Sequence, residues 1–233
     1  MIIKYKTEKN QRDYNEDRII KFKNKYLEGY GISDGHGKHH ISNYLKNELK
    51  NYFNIPFKNL DKKKIIEIFG KINNDIHQKF PKISFQAGST CCIILINNLD
   101  SFFINLGDSK GIIIRNNKII YQTKEHKPNL EKDKLKEIGG NVYNDEGVWR
   151  IDDLAVSRAF GDLDNIYINC IPDIKKIKLK NSDEILIASD GLWDVIKPEK
   201  LLLTNYRDLD NLIKQSIKKK SEDNISIIYV NLT

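Results

Sequence analysis

An α+β fold is predicted for this 233-residue chain from two patterns. Short β-branched runs are separated by turns of hairpin length, which favours antiparallel pairing, and amphipathic helical stripes come in pairs between the groups of strands. A third observation bears on organisation. There is no internal repeat, low-complexity linker or composition break, so one domain spanning residues 1–233 is expected.

The opening third reads strand, strand, then two helices. An early strand follows Glu16-Asp17, and Tyr26 to Ile32 suits a second, which stops at Ser33-Asp34-Gly35-His36-Gly37. Beyond that turn Ile41, Tyr44, Leu45 and Leu49 recur at helical spacing. A second helix follows Asp61 with Ile65, Ile68, Phe69, Ile72 and Ile76 on one stripe, and Pro81 closes it. The middle is strand-rich: Ser89 to Ile96, Phe102 to Leu106, Gly111 to Arg115 and Lys118 to Tyr121, with turns at Asn97–Asp100 and Asn116-Asn117. Lys124 to Asp164 is less regular, with a short helix around Leu135 and then Gly139-Gly140. The last third has strands at Ile174–Leu179 and Glu184–Ser189. A helix pair between Pro198 and Lys220 carries the Leu209, Leu212, Ile213, Ile217 stripe, and a final strand runs from Ile225 to Asn231.

Composition narrows the function classes. The net charge is +7, yet the runs Lys62–Lys64 and Lys218–Lys220 lie at the ends of amphipathic helices without interleaved aromatics. They read as solvated lysine faces, and no nucleic-acid partner is expected. Cys91 and Cys92 are neighbours in a strand and point to opposite faces, so free thiols and a reducing compartment are expected. The N-terminus lacks a signal-peptide core, Ile2 excludes myristoylation, and no apolar run is long enough to span a bilayer. A soluble, monomeric protein of the cytoplasm is expected, with the nucleus open as a second location and no membrane partner.

Chemistry is suggested by acids at strand ends. Asp34 follows one strand, Asp108 follows Asn105-Leu106-Gly107, Asp190 follows Ala188-Ser189, Asp223 precedes the last strand and the Glu16-Asp17 pair precedes an early one. Taken singly, Asp-Gly is hairpin chemistry and an exposed acidic pair is ordinary surface. Carboxylates at the ends of several strands can converge on one rigid site, and converging carboxylates repel unless cations sit between them. The candidate donors are all oxygens, including the Gly35 carbonyl, and no Cys-x-x-Cys or His-x-x-x-His spacing occurs. Oxygen-only ligation favours Mg²⁺ or Mn²⁺ over Zn²⁺. A pair of such ions about 3.5–4 Å apart can hold a bridging hydroxide and clamp phosphoryl oxygens for in-line attack.

The segments Arg12-Asp13-Tyr14-Asn15-Glu16-Asp17, Asp34-Gly35-His36-Gly37, Gly88-Ser89-Thr90, Gly107-Asp108-Ser109, Leu154 to Asp162, Ala188 to Val195 and Asp223-Asn224-Ile225-Ser226 resemble, in order, the type 2C family of metal-dependent protein serine/threonine phosphatases. The resemblance runs from about Lys6 to Asn231. It implies a four-layer α-β-β-α sandwich, two antiparallel sheets flanked by helix pairs, with metals in a cleft at one end. It implies hydrolysis of phosphoserine and phosphothreonine in protein substrates by direct attack of a metal-bridging water or hydroxide. By position, Asp34 resembles the carboxylate shared by two tightly bound Mg²⁺ or Mn²⁺ ions. Asp190 and Asp223 match ligands of one ion; the Gly35 carbonyl and Glu16, mostly through water, match the other, with Asp17 beside them in the candidate set. Asp108, Asp190 and Asp194 match a weaker third site. Arg12 matches the arginine that grips the substrate phosphate, and His36 the general acid.

Two departures stand out. Lys38 replaces a second glycine after Asp34-Gly35-His36-Gly37, and Asp152-Asp153 precedes Leu154 where glycine is common. The segment Lys124 to Trp149, where the family's flap is expected, is compact. A cysteine-based phosphatase is excluded, because the position six residues after Cys91, Cys92 and Cys170 holds Asn97, Asn98 and Lys176, never the required arginine. A non-catalytic member acting as a binding module stays as the alternative, although such a chain is expected to lose Asp34, Asp190 or Asp223, and all three are present.

Overall fold

A computed structural model describes residues Met1–Thr233. Its strands are β1 (Ile2–Glu8), β2 (Arg18–Lys23), β3 (Glu28–Ser33), β4 (Gly35–His36), β5 (Gly88–Ser89), β6 (Cys91–Asn97), β7 (Asp100–Leu106), β8 (Lys110–Arg115), β9 (Lys118–Gln122), β10 (Val142–Asp145), β11 (Val148–Ile151), β12 (Phe160–Gly161), β13 (Asp173–Lys178), β14 (Glu184–Ala188) and β15 (Ile225–Asn231). The helices are α1 (His40–Tyr52), α2 (Lys62–Lys79), α3 (Lys132–Glu137), α4 (Asp190–Trp193), α5 (Pro198–Leu201) and α6 (Leu209–Lys218). Two five-stranded sheets, ordered β1-β15-β14-β8-β9 and β13-β7-β6-β3-β2, are antiparallel throughout. The expected α+β class is the observed one.

Three apolar layers explain the architecture. Along β6 the side chains alternate: Cys91, Ile93 and Leu95 join the cluster under α1 and α2, while Cys92, Ile94 and Ile96 enter a second cluster with Ile113, Ile185, Ile187 and Ile228 of the opposite sheet. A third cluster packs Leu186, Ala188, Ile225 and Ile227 beneath Leu192, Trp193, Leu201, Leu209, Leu212 and Ile213 of the C-terminal helices. Burial on both faces is why these strands read as continuous apolar runs with no alternation. Each fully buried isoleucine contributes roughly 2 kcal/mol of transfer free energy, so the three layers together dominate the stability of the fold. Cys91 and Cys92 are free and buried in different layers, as expected of strand neighbours.

Local signals set most boundaries. Asp61 caps α2 by accepting from Lys64 N–H at 2.7 Å, and the helix ends just before Phe80-Pro81. Asn116 and Asn117 both have positive φ (51° and 56°), as a two-residue type I′ hairpin turn between β8 and β9 requires. The expected C-terminal helix pair is present as α5 and α6, with one position of the apolar stripe changed. The helix anticipated from Pro198 is a single turn, and the buried positions of α6 are Leu209, Leu212, Ile213 and Ser216, with Ile217 42% exposed. Asp190 begins a helical turn, α4, directly after β14. The strand predicted from Ser89 is interrupted at Thr90, whose N–H donates to the Asp34 carbonyl at 2.8 Å. No helix is long and apolar enough to cross a membrane.

Candidate metal centre

The two sheets bring their carboxylates to one end. Asp34 lies between β3 and β4, and its backbone is held on both sides. Its N–H donates to Thr90 Oγ1 at 3.1 Å, and its carbonyl also accepts from Ser89 Oγ at 3.0 Å. Gly35 must lack a side chain, because a Cβ there would stand 2.9 Å from Ser42 Oγ and 3.0 Å from the Glu16 carbonyl. Ser42 Oγ, on α1, donates to that same carbonyl at 2.5 Å. Asn224 ties the first loop to the last strand: its Oδ1 accepts from Glu16 N–H at 2.8 Å and its Nδ2 donates to the Lys9 and Tyr14 carbonyls. Asp108 follows Gly107 (φ +96°), whose N–H donates to Nδ1 of buried His126 at 3.0 Å.

Asp34, Asp108 and Asp190 each offer a carboxylate oxygen within 4.8 Å of the others. They line a cleft of about 710 Å³ together with Arg12, Glu16, Gly35, His36, Asp194 and Asp223. Asp17 is not on that surface. It is buried behind the cleft wall, where Ser189 Oγ donates to its Oδ2 at 2.8 Å. Burial, reinforced by Asp17, Asp190, Asp108 and Asp223, pushes the Asp34 carboxyl well above the usual range. Burial with Asp108, Asp223 and Asp194 does the same to Asp190. Burial raises Asp17 and Asp108 to about 6, in Asp108 against the Lys127 ammonium, which lowers it.

These residues fit divalent cations. The donors are all hard oxygens, and Glu16 Oε1 and Asp17 Oδ1 are buried acceptors that no protein group satisfies. A testable consequence is the pH dependence of the metal-free protein. Unfolded aspartates protonate near 3.8, whereas folded Asp17 and Asp108 protonate at about 6. Between those values the folded chain holds more protons than the unfolded one, so stability falls as pH rises through this window. Glu131 and Asp173, lowered to about 2 chiefly by Arg158 against burial and by His126 respectively, lose their contribution only at lower pH. In EDTA the melting temperature should therefore be higher at pH 5 than at pH 7.5, and saturating Mg²⁺ should remove the difference. A metal-free protein more stable at pH 7.5 would contradict the clustering.

Cations of the chain already face some of these acids. Arg12 Nη2 lies 2.7 Å from Asp223 Oδ2, and Lys127 Nζ lies 2.6 Å from Asp194 Oδ1. Lys127 has no place in the sequence reading, because Glu125-His126-Lys127-Pro128 falls in the irregular stretch and only the fold turns it into the cleft. His36 Nε2 lies 2.7 Å from Asp162 Oδ2; burial lowers the imidazole pKa, but the hydrogen bond and charge of Asp162 raise it more. The hairpin β10–β11, with its tip at Glu146-Gly147, supplies Gly147 to Arg150 to the cleft wall and overlaps the end of the segment in which a flap is expected. Both departures from the family pattern fall on glycine-type backbone: Lys38 has φ +127° and Asp152 φ +49°. Lys38→Gly should relieve that strain and raise unfolding stability in urea by about 1 kcal/mol, net of the extra chain freedom glycine brings. A loss of stability would show that Lys38 makes a compensating contact.

A phosphatase from a pathogenic strain of Toxoplasma gondii superposes with a TM-score of 0.89 over 98% of this chain and 92% of its own, at 20% identity, which bears on the fold alone. The family model for protein phosphatase 2C matches residues 8–225. Probable protein phosphatase 2C 45 of Oryza sativa subsp. japonica is 32% identical over 95% of this chain and 82% of its own length. Probable protein phosphatase 2C 69 of Arabidopsis thaliana is 32% identical over 95% of this chain and 66% of its own. The chain belongs to the protein phosphatase 2C family and is an enzyme of that metal-dependent serine/threonine phosphatase class.

Proposed function

We propose that the protein hydrolyses phosphoserine and phosphothreonine in protein substrates, as a monomeric domain, using two tightly bound Mg²⁺ or Mn²⁺ ions. The observation that carries this is the meeting of Asp34, Asp108 and Asp190 in a cleft that also holds Arg12 and His36. Asp34 would be shared by both ions, Asp190 and Asp223 would hold one, and the Gly35 carbonyl with Glu16 would hold the other. Asp108, Asp190 and Asp194 would serve a weaker third ion, and Asp17 would support Asp34 from behind. When bound, such ions neutralise the carboxylates and make water nucleophilic near neutral pH.

The remaining steps belong to side chains. Arg12 offers a planar fork that can exchange Asp223 for phosphoryl oxygens of the substrate. His36 donates a proton to the leaving seryl or threonyl oxygen, which is too basic to depart as an alkoxide. The reading is tested by turnover of a phosphothreonine peptide library with Mg²⁺ or Mn²⁺ and again in EDTA. Turnover that survives EDTA would overturn the metal requirement. No turnover with metal demonstrably bound would favour the non-catalytic alternative.

A further inference from the structure

A three-stranded sheet lies beside the two large ones, with Phe160 packed into the apolar cluster under α1 and α2. Its strands β12, β5 and β4 are two residues each, in that order. Register sets His36 opposite Gly88, and Gly88 opposite Gly161. Asp162, next along the chain, is only 2% exposed and has φ +50°, a left-handed conformation that aspartate tolerates better than most residues. Several bonds hold it there: Asp162 N–H donates to the Ala87 carbonyl at 3.1 Å, and the preceding Gly161 N–H donates to Asn73 Oδ1 of α2 at 2.9 Å.

All of this places one carboxylate against one imidazole. Asp162 Oδ2 is 2.7 Å from His36 Nε2, and His36 faces the cleft. Gly88 vacates the space in which they meet: a Cβ built there would collide with Asp162 Oδ2 and stand 2.5 Å from His36 Nε2. The glycine at position 88, the Phe160-Gly161-Asp162 segment and the tiny sheet joining them thus share one product, a buried Asp162 carboxylate paired with a half-buried His36 at the edge of the cleft.

We infer that Asp162 is the positioning residue of the proton donor: it engages Nε2 of His36, fixes the ring, and leaves Nδ1 as the atom that releases the proton. This rests on the reading of His36 as general acid. In the step, water oxygen bonds to phosphorus as the phosphorus–oxygen bond to the serine or threonine breaks. The bonding pair stays on the side-chain oxygen, which takes the Nδ1 proton. Inorganic phosphate and a free hydroxyl result, and the neutral imidazole keeps its Nε2–H on Asp162 until solvent reprotonates Nδ1. A buried carboxylate that sets tautomer and orientation of a histidine without itself accepting the proton is established acid–base chemistry.

The test compares kcat/KM on a phosphothreonine peptide and on p-nitrophenyl phosphate, whose leaving group needs a proton far less. Wild type, H36A, D162A, D162N and H36A/D162A are measured with saturating Mn²⁺, with circular dichroism and calorimetric Mn²⁺ binding as controls. D162A should lose about 10–100-fold on the peptide and only about 3-fold on nitrophenyl phosphate. D162N, whose amide oxygen still accepts from Nε2–H, should fall between D162A and wild type, and it carries the test if D162A does not fold. The double variant should be no worse than H36A, because both changes remove one function. Equal losses of the Asp162 variants on both substrates, or a further peptide loss on adding D162A to H36A, would overturn the assignment. A selective loss in H36A with none in either Asp162 variant would overturn it too, while leaving the general acid intact. Equal losses for H36A itself would remove the general-acid reading, and this proposal with it.

Discussion

Asp34→Asn should lower phosphopeptide turnover by about three orders of magnitude or more, because it removes the charge expected to be shared between two cations. The same substitution should leave the fold intact. Asp34 sits at the sheet end, outside the apolar layers, and its backbone is held by Thr90 and Ser89 through atoms the asparagine keeps. In EDTA at pH 7.5 the variant should melt higher than wild type, since it removes a buried carboxyl together with the repulsion that Asp17, Asp190, Asp108 and Asp223 exert on it. The two readouts move in opposite directions, which a merely damaged protein cannot imitate. Wild-type turnover in the variant, or an unfolded variant, would sink the assignment of Asp34.

His36→Ala should separate two substrates. A seryl or threonyl oxygen needs a proton as its bond to phosphorus breaks, whereas nitrophenolate does not, so the peptide should lose about 100-fold or more and nitrophenyl phosphate far less. Metal affinity should change little, because His36 spends one ring nitrogen on Asp162 and is not proposed as a ligand. Calorimetry of Mn²⁺ binding checks that point. A large drop in affinity would mean that His36 orders the acids and does not deliver a proton.

Much of the fold was legible in the sequence because burial writes itself into periodicity. The α1 and α2 stripes, the Asn116-Asn117 turn and the doubly buried strands each carry a pattern set by local geometry. Strand β1 does not. Its side chains are exposed or half-buried, so Ile2–Glu8 shows neither an apolar run nor a clean alternation, and only pairing with β15 defines it. The length of α5 is not legible either, because Pro198 and a few leucines signal a helix start but say nothing of where it stops.

At the site, acids at strand ends were visible because turns expose them, and the ordered segments identified the family. Burial separates Asp17 from Glu16, however, and adjacency in sequence cannot convey that. Lys127 and the pairing of His36 with Asp162 were likewise invisible. They depend on contacts 67 and 126 residues apart in the chain, which no local pattern records.

Strand β15 lies between β1 and β14, and Arg12 meets Asp223 across 211 positions of sequence. During synthesis, then, β1 has no strand to lie against, and β14 pairs only with β8, until residues 225–231 leave the ribosome. Closing such distant contacts is slow compared with forming local hairpins. Nascent chains should therefore carry β1 unpaired, and one edge of β14 open once residues 184–188 have emerged, until β15 is made. The acids contributed by residues 16 and 223 cannot meet before that last strand docks. The ligand set is therefore complete only after β15 has paired with both of its neighbours.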